Sequence, residues 1–347
     1  MGDSPLRWGL AGTGGIAREF AGALAGLDGT IIAGVASRNS GASAALRGLH
    51  GVGKSHGSLE DLAADPDIDV VYISTPAGLH KEHTIMFLEA GKHVLIEKPF
   101  ALNHAEALAI VETARRRGLF AMEAMWSRFL PAYVKLRQLV DSGAIGEVRG
   151  VEASFGFPMP SEGPGRISRV HDARMGGGSL LELGVYPVQL AHWMLGRPTD
   201  VAASSQLNDS GADLDTSALL SFSRGTATIR SSVTSPLPNQ ARILGSTGYI
   251  SLPAPHQCPQ EVGLSVYNTH GPGTVEEHLY KTPIEGPGLR YEIMEVARQL
   301  RAGKQESPVM PWQDTLDIME TIDRIRASQN GYQPLNNATL PTNHKKD

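Results

Sequence analysis

The sequence predicts an α/β chain: a doubly wound parallel sheet at the N-terminus, then an α+β domain built on a large, mostly antiparallel sheet. Three observations carry this. An apolar run, Leu6 to Ala11, enters the turn Gly12-Thr13-Gly14-Gly15-Ile16-Ala17, and a helical pattern starts inside that turn. Through residue 124, apolar strands alternate with amphipathic helices, the rhythm of parallel βαβ units. Beyond residue 125, short β runs follow one another, separated by Asn-Asp-Ser-Gly, Ser-Arg-Gly and Gly-Ser-Thr-Gly turns, which read as antiparallel hairpins. Residues 1–124 are therefore expected to form one domain and 125–347 another. A chain of 347 residues, 41% of them hydrophobic, suffices for two cores.

The elements follow from local pattern. Ile16 to Leu27 reads as a helix with Ile16, Phe20, Ala23, Leu24 and Leu27 on one face. Thr30 to Ala36 is a continuous apolar strand, as parallel strands covered on both faces require. Ser58-Leu59-Glu60-Asp61 opens a short helix through its hydroxyl cap. Asp69 to Thr75 is a strand, His83 to Ala90 a helix stopped by Gly91, and His93 to Ile96 the next strand. Asn103 caps a helix that runs to Arg117, where Gly118 ends it ahead of a strand from Leu119 to Ala124. In the second part, a helix follows Pro131, a strand spans Glu147 to Phe155, and a Pro/Gly-rich loop runs from Phe157 to Gly178. Ser179 to Leu195 is helical, β runs occupy Asp200 to Tyr280, and helices Arg290 to Arg301 and Gln313 to Ala327 close the chain. From Pro334 the tail is polar.

Composition removes several function classes. A net charge of -5 with interspersed signs gives no basic footprint for nucleic acid or anionic membranes. No apolar run is long enough to span a bilayer, and Arg7 and the glycines break the first apolar stretch as a secretory signal. With Cys258 as the single cysteine, no intrachain disulfide forms, and a cytoplasmic setting is expected. The 12 histidines are scattered without metal-ligand spacing, so no metal is expected. No Gly-x-x-x-x-Gly-Lys-Ser/Thr run is present for phosphoryl transfer.

The glycine turn has a physical reading. A strand followed by Gly12-x-Gly14-x-x-Ala17 and a helix seats a dinucleotide pyrophosphate on the helix N-terminus, the feature of a Rossmann domain. The second strand ends Ala36-Ser37-Arg38-Asn39, with no Asp or Glu to hold the adenosine ribose hydroxyls. A guanidinium at Arg38 can pair with a 2′-phosphate and stack on adenine, and Ser37 can donate beside it. This predicts NADP(H) over NAD(H), against the plainer reading of Arg38 as a solvated loop residue.

Two segments carry candidate chemistry. Glu97-Lys98-Pro99 follows the strand His93 to Ile96, where ligands of open α/β sheets lie. There a lysine can polarise a carbonyl and Glu97 can fix its ammonium; on spacing alone a surface Glu-Lys pair reads equally well. In Gly176-Gly177-Gly178-Ser179-Leu180-Leu181-Glu182-Leu183-Gly184-Val185-Tyr186-Pro187, Glu182 and Tyr186 project from one helical face. Tyr186 beside a lysine and a cationic nicotinamide suits general acid/base work; a core tyrosine with a satisfied hydroxyl is the alternative.

Together these residues resemble the Gfo/Idh/MocA family: Gly12-x-Gly14-x-x-Ala17, Ser37-Arg38, Ser74-Thr75-Pro76-x-x-x-His80, Glu97-Lys98-Pro99 and Glu182-x-Gly184-x-Tyr186. The run Glu123 to Pro131 is similar to the branch that contains dihydrodiol dehydrogenase and NADP-dependent D-xylose 1-dehydrogenase. The resemblance implies an NADP(H)-dependent oxidoreductase acting on a CH–OH group of a sugar, polyol or cyclic diol, with Lys98 and Tyr186 as the catalytic pair. It implies that Gly12, Thr13, Gly14, Gly15 and Ile16 hold the pyrophosphate, that Thr75, Pro76 and His80 line the nicotinamide ribose side, and that Ser74 and Glu97 also belong to the cofactor site. Trp126 and Arg128 would flank cofactor and substrate, Lys98–Pro99 would be a cis peptide, and an open second sheet would join a homodimer or homotetramer.

The chain departs from the family at Glu182, where Asp is common, and at Ala77, where many members have Asn. His171, in the glycine-rich loop with Arg166, Arg169 and Arg174, is the candidate there for a substrate contact. Rival readings are a non-catalytic NADP-binding sensor and a sugar–sugar oxidoreductase that keeps its cofactor.

Overall fold

The computed structural model describes residues 4–37, 40–161, 169–267 and 275–328. Arg38, Arg166 and the tail from Pro334 lie outside the described residues. The first sheet comprises β1 (Leu6–Ala11), β2 (Thr30–Ala36), β3 (Lys54–His56), β4 (Val70–Ile73), β5 (His93–Glu97) and β6 (Ala121–Ala124). Its order is β3-β2-β1-β4-β5-β6 and every pairing is parallel. The helices are α1 (Gly15–Ala25), α2 (Ser40–His50), α3 (Leu59–Ala64), α4 (His80–Glu89) and α5 (His104–Arg117). Strand order reverses between β1 and β4, which opens a crevice beyond their carboxyl ends.

Both expected helix caps are present. Ser58 accepts a hydrogen bond from the Asp61 N–H at 3.0 Å, and Asn103 accepts from the Glu106 N–H at 2.9 Å. Gly118 ends α5 at a φ of 67°, which glycine adopts without the clash a Cβ brings.

Some elements differ from the sequence expectation. Sequence pattern does not show α2 or β3: the helix is Ser/Gly/Ala-rich, and the three-residue strand is mostly exposed, with no apolar alternation. The helix expected from His83 begins at His80, because a 3₁₀ turn over Ala77–Leu79 feeds straight into it. The helix expected from Ser179 opens with a π turn, Leu180–Gly184, before α-helical geometry sets in.

The second part begins with α6 (Pro131–Asp141) and β7 (Val148–Gly156), followed after the glycine-rich loop by α7 (Val185–Leu195). Then come β8 (Asp200–Leu207), β9 (Asp213–Phe222), β10 (Gly225–Ser232), β11 (Ala241–Gly245), β12 (Gly248–Leu252), β13 (Glu261–Tyr267) and β14 (Val275–Lys281). The sheet order is β14-β13-β12-β11-β7-β10-β9-β8, antiparallel except where β10 runs parallel to β7. One face is covered by α7, which packs on β7 and β10. The other, with Glu152, Ser204, Leu219, Thr228, Arg230 and Arg242 exposed on it, is uncovered.

The closing helices, α8 (Arg290–Arg301) and α9 (Trp312–Ala327), return to the first sheet's side. Here α8 packs on α1, while α9 packs on both α5 and α7. Trp312 Nε1 donates to the Ala121 carbonyl at 2.8 Å, and Arg326 donates to the Leu102 carbonyl at 2.7 Å. One continuous apolar core runs through both parts, which fixes the cleft between them.

Candidate active site

The mouth of the cleft is built from the chain segments that leave β1, β4 and β5. Gly12 has a φ of +116°, and a Cβ there would lie 2.8 Å from Ser74 Oγ, so only glycine fits between these two turns. Gly14 precedes α1 in extended geometry with no side-chain cap, and nothing lies within 4 Å of a Cβ on Gly14 or Gly15. The N-terminus of α1 is thus uncapped by a side chain and open around Gly14 and Gly15, a setting that fits a pyrophosphate. Thr13 donates to Ser37 Oγ at 2.9 Å, which ties the glycine turn to the end of β2. Ile16, Ser74, Thr75 and Pro76 are half-buried around this opening.

Past β5, the Glu97 carboxylate is enclosed on both oxygens. Tyr72 donates its hydroxyl to Oε1, and the Lys98 backbone N–H donates to Oε2 at 3.2 Å. Burial pushes the Glu97 pKa up. The Lys98–Pro99 peptide is cis. His80 is buried with its ring nitrogens facing the Pro99 and Thr75 carbonyls at 2.9 and 2.8 Å. Burial pushes its pKa down to about 4, so at neutral pH a single ring N–H ties these two loops. Its ring is inside the wall rather than on the cleft surface expected for it.

Lys98 reaches across to the second part of the chain. Its Nζ donates to the Glu182 carbonyl at 2.9 Å and sits 5.1 Å from the centre of the Tyr186 ring. The π turn and Pro187 shape this meeting. Proline has no N–H, so the preceding turn is short of a ladder donor, and the ammonium supplies one. Tyr186 is buried, and its oxygen accepts the Trp126 indole N–H at 2.8 Å. Burial is the main cause of its raised pKa, which the Trp126 hydrogen bond opposes. Phe155 meets Tyr186 edge-on at 5.6 Å and Phe157 at 5.9 Å, forming an apolar wall beside the phenol.

The base of the Tyr186 helix is anchored by Asp213. Its carboxylate accepts the Ser179 hydroxyl and the Leu180 N–H, each at 2.7 Å, and the Thr216 hydroxyl at 2.9 Å. Glu182 is buried, with Oε2 facing Arg169 Nη2 at 3.3 Å. Gly78 and Gly176 let the turn after β4 press against the glycine-rich loop, since a Cβ on Gly176 would lie 2.7 Å from the small Ala77 side chain.

Two expectations meet a different environment. The Arg128 guanidinium is fully buried and bonded to Gln189, Val309 and Asp314 at 2.9, 3.0 and 2.6 Å. It therefore joins elements of the second part, in place of the expected contact with cofactor and substrate. His171 faces the Met159 carbonyl at 3.0 Å, while its own carbonyl accepts from Asn208 and Ser210. These bonds fasten the loop. Sequence reading missed Tyr72, Asp213 and Glu292, a buried carboxyl below the site. Tyr72 hides in an apolar strand, and the other two lack any local motif.

Residues 6–125 match the family model of the oxidoreductase family with an NAD-binding Rossmann fold, and residues 133–251 match the GFO/IDH/MocA C-terminal domain. A trans-1,2-dihydrobenzene-1,2-diol dehydrogenase of Xenopus laevis is 35% identical over 325 residues, covering 91% of this chain and 96% of that protein. The Danio rerio protein of the same name is 34% identical over 326 residues, covering 92% and 96%. Among solved structures, KijD10, a 3-ketoreductase from Actinomadura kijaniata in complex with NADP and TDP-benzene, superposes with a TM-score of 0.81. It is 27% identical, with 94% of this chain and 98% of that one covered. A levoglucosan dehydrogenase bound to NADH and levoglucosan shares the fold at a TM-score of 0.84 and 21% identity, covering 94% and 97%.

Proposed function

This chain belongs to the Gfo/Idh/MocA oxidoreductase family, whose chemistry uses a nicotinamide cofactor, and on that premise we propose that it is an NADP(H)-dependent dehydrogenase of a CH–OH group in a sugar, polyol or cyclic diol. The observation that carries the proposal is the meeting of Lys98 and Tyr186, an amine and a phenol from opposite lobes, beside an open pyrophosphate cradle. A bound nicotinamide supplies the hydride acceptor or donor. Gly12, Thr13, Gly14, Gly15 and Ile16 would hold its pyrophosphate, and Ser74, Thr75 and Pro76 its ribose side, while the enclosed Glu97 carboxylate braces the Lys98 backbone N–H from within the wall. Ser37 and Arg38 would face the adenosine end and favour the 2′-phosphate.

In this reading Tyr186 exchanges a proton with the substrate oxygen. The Lys98 ammonium favours the oxyanion that develops, and the Trp126 N–H stabilises the phenolic oxygen as it gains charge. The apolar wall of Phe155 and Phe157 supports a ring-shaped substrate with one polar edge, placed near Trp126 and Glu182. The uncovered face of the second sheet is proposed as the contact of a homodimer or homotetramer. Among the described residues, no helix is long and apolar enough to cross a membrane.

The test is NADP⁺ reduction over a panel of aldoses, inositols and cyclic diols. Turnover on at least one member, strongly reduced in Lys98→Met and lost in Tyr186→Phe, supports the enzyme. Tight cofactor binding with no turnover on any member would refute it in favour of a sensor.

A further inference from the structure

Below the catalytic pair lies a carboxyl group that the proposed reaction does not use. Glu292, in the first turn of α8, has no exposed surface. Among the described residues it is the one carboxyl group with both oxygens enclosed and without a hydrogen-bond partner. A buried polar group with no partner in a native fold calls for an explanation. Its placement offers one. The turn leading into α8 lies directly on Trp126, since a Cβ on Gly288 would be 2.6 Å from Trp126 Cζ3. That indole in turn holds the Tyr186 oxygen.

The groups around Glu292 fix its state. From β5 it feels the charge of Glu97, and its own charge would act on Tyr72 of β4 and Tyr186 of α7. The 126–129 turn brings Arg128, which is already bonded to Asp314. On α1, Arg18 and Glu19 point to solvent while Ala17 and Phe20 face inward. On its own helix, Glu295 is bonded to Arg298, Gln299 and Ser307. Glu97 has two donors and the neighbouring Lys98 ammonium, whereas Glu292 has none. Of two coupled buried carboxyls, the one with donors keeps the charge. Burial and the Glu97 charge both push Glu292 up, which favours its un-ionised form.

Building on the dehydrogenase reading, we propose that Glu292 is the proton-holding group of this site: un-ionised in the free protein, it releases its proton to solvent when the oxidised cofactor, with its cationic ring, binds beside Lys98 and Tyr186. The step is an ionisation alone: the O–H bond of the acid breaks, its electron pair stays on the carboxylate, and buffer takes the proton. The reduced ring is neutral and leaves Glu292 protonated. Proton count is thereby linked to cofactor redox state.

The experiment is titration calorimetry with NADP⁺ and with NADPH in two buffers of different ionisation enthalpy, on wild type, Glu292→Gln and Tyr186→Phe. The expected result is release of up to one proton per NADP⁺ by wild type and Tyr186→Phe, none by Glu292→Gln, and none with NADPH. Release that persists in Glu292→Gln but vanishes in Tyr186→Phe assigns the proton to the phenol and overturns the inference. Binding by wild type without release overturns it alone, whereas failure to bind either cofactor overturns the dehydrogenase reading itself. Should Glu292→Gln not fold, infrared spectroscopy of wild type decides: the carbonyl stretch of a protonated carboxylic acid must fade on NADP⁺ addition and persist with NADPH.

Discussion

Replacing Lys98 by Met removes one ammonium from a site whose geometry allows the loss to be estimated. Lys98 Nζ lies 5.1 Å from the centre of the Tyr186 ring, over which a phenolate spreads its charge. At an effective dielectric of about 20, a unit charge pair at that distance is worth about 3 kcal/mol. That corresponds to about two orders of magnitude in rate. Lys98 is only half-buried, so solvent trims the effect, and a fall in kcat of about 10- to 100-fold is expected. The methionine keeps the apolar stem but cannot donate to the Glu182 carbonyl. The assay is the pH dependence of kcat and kcat/KM for NADP⁺ reduction with the best substrate of the panel. The rising limb of the profile, where the phenol must be deprotonated to accept the substrate proton, should move to higher pH in Lys98→Met, because the phenol loses its stabilising cation, while cofactor affinity changes little. An unshifted limb, or a loss confined to cofactor KM, would refute the view that the lysine acts on Tyr186.

Other expectations follow from single contacts. Trp126→Phe removes the donor to the Tyr186 oxygen; a hydrogen bond to a charged group contributes about 1.5–3 kcal/mol, so kcat should fall about 10- to 100-fold with the fold intact by circular dichroism. Burial pushes Glu123 from the usual 4.5 up to about 7. The native state therefore holds a proton that the unfolded chain has lost, and stability should fall as pH rises through this window, by about 3 kcal/mol in total. Glu123→Gln, which keeps partners for the Phe100 N–H and Thr315 hydroxyl, should flatten that fall in thermal melts recorded across the window. Asn103→Ala deletes the cap on the Glu106 N–H and should cost about 1 kcal/mol in denaturant unfolding. Arg38→Ala should raise the KM for NADP⁺ far more than that for NAD⁺; equal changes would end the assignment of the 2′-phosphate to Arg38.

Contacts made within a turn or along one helix face were legible in the sequence, because chain connectivity alone brings those atoms together. The Gly12 turn, the caps at Ser58 and Asn103 and the alternation of parallel strands belong to this class. α2 and β3 are not legible, because a Ser/Gly/Ala-rich helix and a mostly exposed three-residue strand leave little periodic apolar signal. The π turn before α7 was equally silent, since residue spacing does not distinguish a π from an α turn.

What the fold alone decided are the encounters between distant segments. Lys98 donates to a carbonyl 84 positions away, Trp126 to a phenol 60 positions away, and Arg128 turns from the cleft because Gln189, Val309 and Asp314 surround it. The protonated state assigned to Glu292 is likewise a property of the enclosure formed when α8 docks on α1 and Trp126. Desolvation and opposing charge depend on distance in space, which packing sets and residue order does not reveal.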